Sequence, residues 1–429
     1  MRGRTPQVAR DDRRERERRA LHERDAPGEQ RLLGGTDLGG GERFDHGAMM
    51  PRAGAARRTG LRAGETRAAP VARRARLATM RFGLFIPQGW RQDLVGIDPS
   101  AQWETMRSLA QHADTATTGA PGSDARHAWE SVWVYDHFHT VPEPTGEATH
   151  EAWTLMAAFA ASTERVRLGQ MCTCMAYRNP AYLAKVAATV DIVSGGRTEM
   201  GIGAGWYEHE WRAYGYGFPG AGARLGALDE GVQVMEQMWR TGSATLDGTY
   251  FQVDGALCHP QPLQVLDGVG AGGGSAPSIP LWIAGGGEKK TLRIAAQHAQ
   301  YTNFDGSLEG FAHKSDVLRG HCESIGRPFE DITRSANYNV VIGETEADVE
   351  DRLRWIGEHY AKTVPAKVEQ TVRDFRSGPL VGTPEQVVET LQKLEGAGMT
   401  YAITYFAEAA YDRSGIELFE REVVPALQG

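Results

Sequence analysis

The chain has 429 residues and a formal net charge of −8, from 47 Lys plus Arg against 55 Asp plus Glu. The first 79 residues hold 19 Arg, no Lys, 11 Asp plus Glu and one aromatic, Phe44, which leaves 28 basic against 44 acidic residues for the rest. So acidic a body repels phosphate backbones, which excludes nucleic acid as a partner, and without an apolar run of ~18 to 20 residues or a signal-peptide core the sequence predicts a cytoplasmic protein with no membrane partner.

The first segment, 1–79, has too little apolar surface to offset the entropy of ordering it, and it is expected to be a disordered, Arg-rich extension that need not belong to the native protein. Asp11, Asp12, Glu15 and Glu17 interrupt its Arg run, which disfavours a nucleic-acid or membrane arm as well as an acid-poor transit peptide. From Met80 the composition is globular, and 80–429 reads as one domain.

Arg81 to Pro87 predicts a short apolar strand, and Pro99 and Ser100 open a helix carrying Trp103, Met106, Leu109 and Ala110 at helical spacing. The Gly-rich piece Thr118 to Asp124 reads as an insertion. Next comes Ser131 to Phe138, SVWVYDHF, whose β-branched and aromatic run predicts a strand buried on both faces and ending at Asp136 and His137. A helix over Glu151 to Ala161 and a strand over Val166 to Thr173 follow. Pro180 sits at the first turn of a helix that stops at Ser194, Gly195 and Gly196, and Arg197 to Gly201 is the fourth strand. The aromatic, Gly-rich loop Gly201 to Gly222 has the length of a functional loop.

Leu225 to Trp239 marks an amphipathic helix, Leu246 to Val253 a small hairpin, and Val265 to Pro280 a flexible insertion of low order. Leu281 to Ala284 is a fifth strand, followed by Gly285 to Gly287 and a helix from Glu288 to about Ala299. Strands over Tyr301 to Phe304, Ser335 to Ile342 and Tyr401 to Phe406 complete the set, with helices over Phe311 to Ile325, Glu346 to about Ile356, and after Pro384. Eight strand-helix alternations, with no G-x-G-x-x-G turn after the first strand, predict an α/β fold: a (β/α)8 TIM barrel with insertions.

In such a barrel the segments after strands one to five share one rim. His137 at a strand's carboxyl end is a candidate proton donor, since an unperturbed imidazole titrates near ~6.5, although a loop histidine is also commonly structural. Asp136 either orients His137 or, pointing to the other side, binds something separately. The glycines Gly285 and Gly286 suit a phosphate at a helix N-terminus, or equally a tight turn. Glu208, His209 and Glu210 lack the spacing of a metal-binding helix, and the four cysteines, Cys172, Cys174, Cys258 and Cys322, lack that of a zinc site, so no metal is expected.

The strand-end YDHF, the segment LGQMCTCMAYRNPAYLAK, the SGGR turn into GIGAGWYEHEW, and LWIAGGGEKKTLRIAA together resemble the luciferase-like oxidoreductases. Among them, the chain most resembles actinobacterial members that depend on the deazaflavin coenzyme F-420. The resemblance spans Met80 to Leu427. It implies a cis peptide between Met171 and Cys172 supporting the cofactor's middle ring, Asp136 and His137 beside that ring with His137 near the transferred hydride, and Gly285 and Gly286 at the phosphate. Where some deazaflavin dehydrogenases carry an acid in the fourth-strand loop this chain has Ala204, which argues against a sugar-phosphate substrate and leaves Tyr207 or Glu208 to shape the substrate pocket. The implied activity is hydride transfer between F-420 and a small organic substrate. The alternatives are an FMN-dependent two-component monooxygenase, as in alkanesulfonate-oxidising relatives, and a cofactor-binding protein without turnover. A homodimer is one assembly the family implies.

Overall fold

The computed structural model describes residues 79–118 and 126–428; the expected extension over 1–79, apart from its last residue, and most of the insertion after Thr118 lie outside the described residues. Eight strands follow the predicted order: β1 (Arg81–Phe85), β2 (Ser131–Val134), β3 (Arg167–Gln170), β4 (Thr198–Gly203), β5 (Leu281–Ala284), β6 (Tyr301–Asn303), β7 (Thr333–Ile342) and β8 (Tyr401–Tyr405). Each pairs in parallel with its sequence neighbours, and β8 pairs with β1 from Arg81 opposite Tyr401 to Leu84 opposite Thr404, so the sheet closes on itself. The fold is the expected (β/α)8 barrel, with no sheet edge left open on the ring.

The helices that cover it begin where the sequence supplies caps. In α1 (Pro99–Thr115) the Asp98 carboxylate accepts the Ser100 amide, and in α2 (Ala152–Ser162) Glu151 accepts the amides of Trp153 and Thr154. In α3 (Pro180–Ser194) Asn179 accepts two amides, Pro180 occupies the first turn, and Gly195 ends the helix in the left-handed region at φ 71°. The short α4 (Glu208–Ala213) and long α5 (Ala221–Thr241) follow β4. The outer ring continues with α6 (Thr291–His298), α7 (Leu308–Ile325), α8 (Glu346–Ala361), α9 (Val368–Arg376) and α10 (Pro384–Gly396).

Several elements depart from expectation. The third strand stops at Gln170, and Thr173–Cys174 instead pairs beside Ile202 and Gly203 of β4. Residues 265–280 are ordered: Val265–Leu266 pairs antiparallel with Ala276–Pro277, and the Ser275 hydroxyl donates to Asp267 at 2.6 Å across the turn. The helix α9 is unexpected, because only Thr371 and Phe375 of its nine residues are buried. Among the described residues, no helix is long and apolar enough to cross a membrane.

The barrel is filled by aromatic side chains. Trp133 of β2 meets Trp282 of β5 edge-on with centroids 4.8 Å apart, and Trp282 stacks on Tyr301 at 4.1 Å. The Trp282 indole donates to the buried Glu199 at 2.6 Å, and Glu199 also pairs with Arg167. Such a core has no slack for an added methyl. A Cβ on Gly169 would lie 2.3 Å from the Trp133 ring, which is itself held by a hydrogen bond to Ser131. Gly169→Ala is therefore expected to destabilise the fold by about 1–3 kcal/mol. Denaturation midpoints should show the loss against Gly146→Ala, whose Cβ meets nothing within 4 Å and which should be neutral.

Candidate active site

The carboxyl ends of β1 to β5, with Asn337 from the middle of β7, surround a cavity of about 370 Å³, inside the ~300–1,000 Å³ range of small-molecule sites. One wall is His137, three residues past the loop end of β2. Its ring stacks face to face on Trp90, with centroids 4.1 Å apart and planes 3° apart. Trp206 and Tyr207 approach it edge-on at 5.7 and 5.9 Å.

The imidazole is oriented from behind by Glu210 of α4. This carboxylate is fully buried. Its Oε2 accepts His137 Nδ1 at 2.9 Å and the Tyr177 hydroxyl at 2.8 Å, while Oε1 accepts the amides of Phe138 and His139 at 2.8 and 2.9 Å. Burial pushes the Glu210 carboxyl up, but the bond from His137, its charge and the two amides outweigh that and hold it below its ordinary value. An ionised Glu210 is acceptor only, so Nδ1 carries the proton, and Nε2, which bonds to none of the described residues, is the imidazole's working atom.

Asp136 and His137 do not touch the same partners. Asp136 is buried in a bidentate pair with Arg178, at 2.7 and 2.9 Å, and it accepts the Cys174 amide at 2.9 Å. Burial alone would lower the Arg178 guanidinium, but Asp136 and Glu151 raise it instead. Asp136 thus lines the cavity while its oxygens fix the segment from Cys174 to Arg178, and of the two sequence readings the separate one describes it.

The Met171 to Cys172 peptide is cis, and both residues line the cavity. Burial, with the Asp136 charge adding to it, pushes the Cys172 thiol up to about 12, so the side chain is a neutral wall rather than a nucleophile. Opposite it Gly203 permits close packing: a Cβ there would stand 2.7 Å from Cys172 Sγ.

Gly285, with φ 116°, and Thr291 close the far end of the cavity. Gly286 is turned toward another neighbour, since a Cβ there would meet Lys314 at 3.4 Å. Helix α6 starts at Thr291, one turn later than the expected Glu288, because Glu288 is drawn outward by Lys314 at 2.6 Å and no capping side chain precedes the helix. Of the two residues expected to shape the substrate pocket, neither lines this cavity; Tyr207 donates to the Thr140 carbonyl at 3.0 Å, and burial pushes its phenol up to about 12. Glu208 points away, exposed and paired with Arg212 one turn on at 2.7 Å. Trp206 takes the wall position instead.

Sequence reasoning does not single out Trp90, Tyr177, Glu210 or Asn337. It weighs Glu210 only as a metal ligand, although an acid in a long loop after a strand is also what a rim histidine requires.

The cavity at the strand ends thus has one oriented imidazole in its wall. Residues 80–401 match the model of the luciferase-like monooxygenases, and the chain belongs to that family. It is 26% identical to the pyrimidine monooxygenase RutA of Stutzerimonas stutzeri over 306 residues, 65% of this chain and 79% of that one. The corresponding Bradyrhizobium protein is 28% identical over the same shares. Among solved structures, the fold resembles an F-420-dependent secondary alcohol dehydrogenase in complex with an F-420–acetone adduct, at TM-score 0.62 and 21% identity, covering 82% of this chain and 100% of that one. It also resembles the monooxygenase RslO1 of Streptomyces bottropensis, at TM-score 0.61 and 20% identity over 81% and 99% of the two chains. The chain is an oxidoreductase of this family.

Proposed function

We propose that the protein is an F-420-dependent oxidoreductase that moves a hydride between the deazaflavin and a small organic substrate. The observation that carries the reading is His137, held in one tautomer by Glu210 with Nε2 left for the cavity. A hydride added to or taken from a carbon–oxygen bond needs one proton donor or acceptor at the oxygen, and His137 supplies one. The wall suits a planar ring: Trp90, Met171 and Cys172 give flat or apolar surface, and the glycines Gly203 and Gly285 allow close backbone approach. These residues would hold the ring, with Gly285 toward its phosphate end, while Glu210 keeps the imidazole aimed and Asp136 with Arg178 keeps the supporting segment in place. The coenzyme, when bound, supplies the hydride chemistry; the protein supplies orientation and a proton.

A second reading, an FMN-dependent two-component monooxygenase, is supported by the sequence likeness to the RutA proteins. Fluorescence titration with F-420 and with FMN separates the two. Saturable F-420 binding, with no oxygen uptake when a flavin reductase and FMN are supplied, is the expected result. Binding of FMN alone, with substrate-dependent oxygen uptake, would overturn the first reading in favour of the second.

A further inference from the structure

A second cavity, of about 330 Å³, adjoins the first and shares Tyr135 and Asn337 with it. Its chemistry differs, because its wall includes a cation. Arg91, in the loop after β1, donates from Nη1 to Asn339 Oδ1 at 2.6 Å, and its guanidinium lies 4.0 Å over the Tyr405 ring. The backbone carrying it is pinned: the Tyr360 hydroxyl donates to the Arg91 carbonyl at 2.8 Å, and His359 Nε2 meets the Gln92 carbonyl at 2.7 Å.

Among the described residues this guanidinium forms no ion pair with a carboxylate. The nearby acids hydrogen-bond to other partners, although Asp93 lies close enough to feel the Arg91 charge. Asp93 accepts the Gly89 amide at 2.6 Å and the Tyr405 hydroxyl at 3.2 Å, while Asp305 stands at the exposed lip and accepts the Ser307 amide at 2.8 Å. Flat surface adjoins the cation, since Phe85 and Tyr135 stack with centroids 4.2 Å apart. At the junction of the two cavities Asn337 has its oxygen occupied by Asn303 at 2.9 Å, so its amide hydrogens are free to donate.

We propose that the second cavity is the subsite for the anionic end of a planar aromatic substrate, a carboxylate or phenolate, bound by Arg91 and the Asn337 amide while the reacting end lies beside His137. The inference rests on the reading that the first cavity takes the redox cofactor. A guanidinium with spare donors matches a carboxylate in geometry and charge, and the aromatic faces match a ring. The site favours an anion over a neutral analogue, because among the described residues no carboxylate is ion-paired with the guanidinium.

Calorimetry on the full chain with benzoate and benzamide tests this. Benzoate is expected to bind at least about tenfold more tightly, and Arg91→Gln should erase the preference. Because Arg91 also supports Asn339 and Tyr405, a second variant is needed: Asn339→Asp keeps the guanidinium, sets a carboxylate against it, and should erase the preference as well. Equal binding of the two probes, or a preference that survives both substitutions, overturns the proposal. F-420 and FMN titrations of Arg91→Gln should match those of the unsubstituted protein within about twofold; a loss beyond that would assign the cation to the cofactor's own anion and also overturn it. Failure of both cofactors to bind the unsubstituted protein sinks the reading of the first cavity, a result distinct from either outcome with benzoate.

Discussion

His137→Gln is expected to lower kcat by about 10²- to 10⁴-fold, the ordinary contribution of a positioned general acid or base, with the cofactor dissociation constant changed by no more than about threefold. The asymmetry follows from the geometry. Glutamine can still donate one amide hydrogen to Glu210, so the segment from Phe138 to His139 keeps its anchor, and Trp90 keeps a flat neighbour. What is lost is an atom able to take up and release a proton at the position of Nε2. Single-turnover oxidation of the bound reduced cofactor, followed by absorbance, separates this from a binding defect. A variant that turns over at the unsubstituted rate would remove His137 from the chemistry and leave it a wall residue beside Trp90.

The barrel was legible in the sequence because its strands are buried on both faces and so read as continuous apolar runs. Every residue of β2 and β4 is buried, and glycine, proline or a capping acid marks most of the boundaries. The hairpin over 265–280 was not, because glycine content reads as flexibility while Gly268, Gly272 and Gly273, at φ 78°, 67° and 80°, serve to turn the chain. The position of His137 was equally legible, since a polar residue ending a buried strand must reach the rim. Its partner was not: Glu210 is 73 residues away, and Arg178 stands 42 residues from Asp136, separations that follow from barrel closure and leave no local pattern. The same holds for Arg91, whose loop looks like an ordinary polar connection until β7 and β8 bring Asn339 and Tyr405 beneath it.

Glu210→Gln tests how far the site and the fold depend on one buried carboxylate. Four donors converge on its two oxygens, and each is an N–H or O–H aimed at an acceptor. Glutamine offers one acceptor oxygen, which the two backbone amides require, and an amide nitrogen that is itself a donor, so His137 and Tyr177 must give up their own bonds and turn to accept. The expected cost is about 3 kcal/mol or more at neutral pH, the scale of breaking a buried, charge-assisted network, measured by denaturant unfolding. The pH dependence identifies the cause. Because the Glu210 carboxyl lies below its ordinary value in the folded protein, its contribution is fully present above the unfolded-state value of about 4.5 and is lost as the pH falls through the lower folded value. Glutamine has no such titration, so the gap in stability between the two proteins should narrow below about pH 4.5 and stay constant above it. A gap independent of pH would mean that shape, not charge, holds the imidazole. Activity should fall as well, since in the Glu210→Gln protein an amide nitrogen facing His137 offers a donor where Nδ1 needs an acceptor, favours the opposite tautomer, and turns a protonated Nε2 toward the cavity.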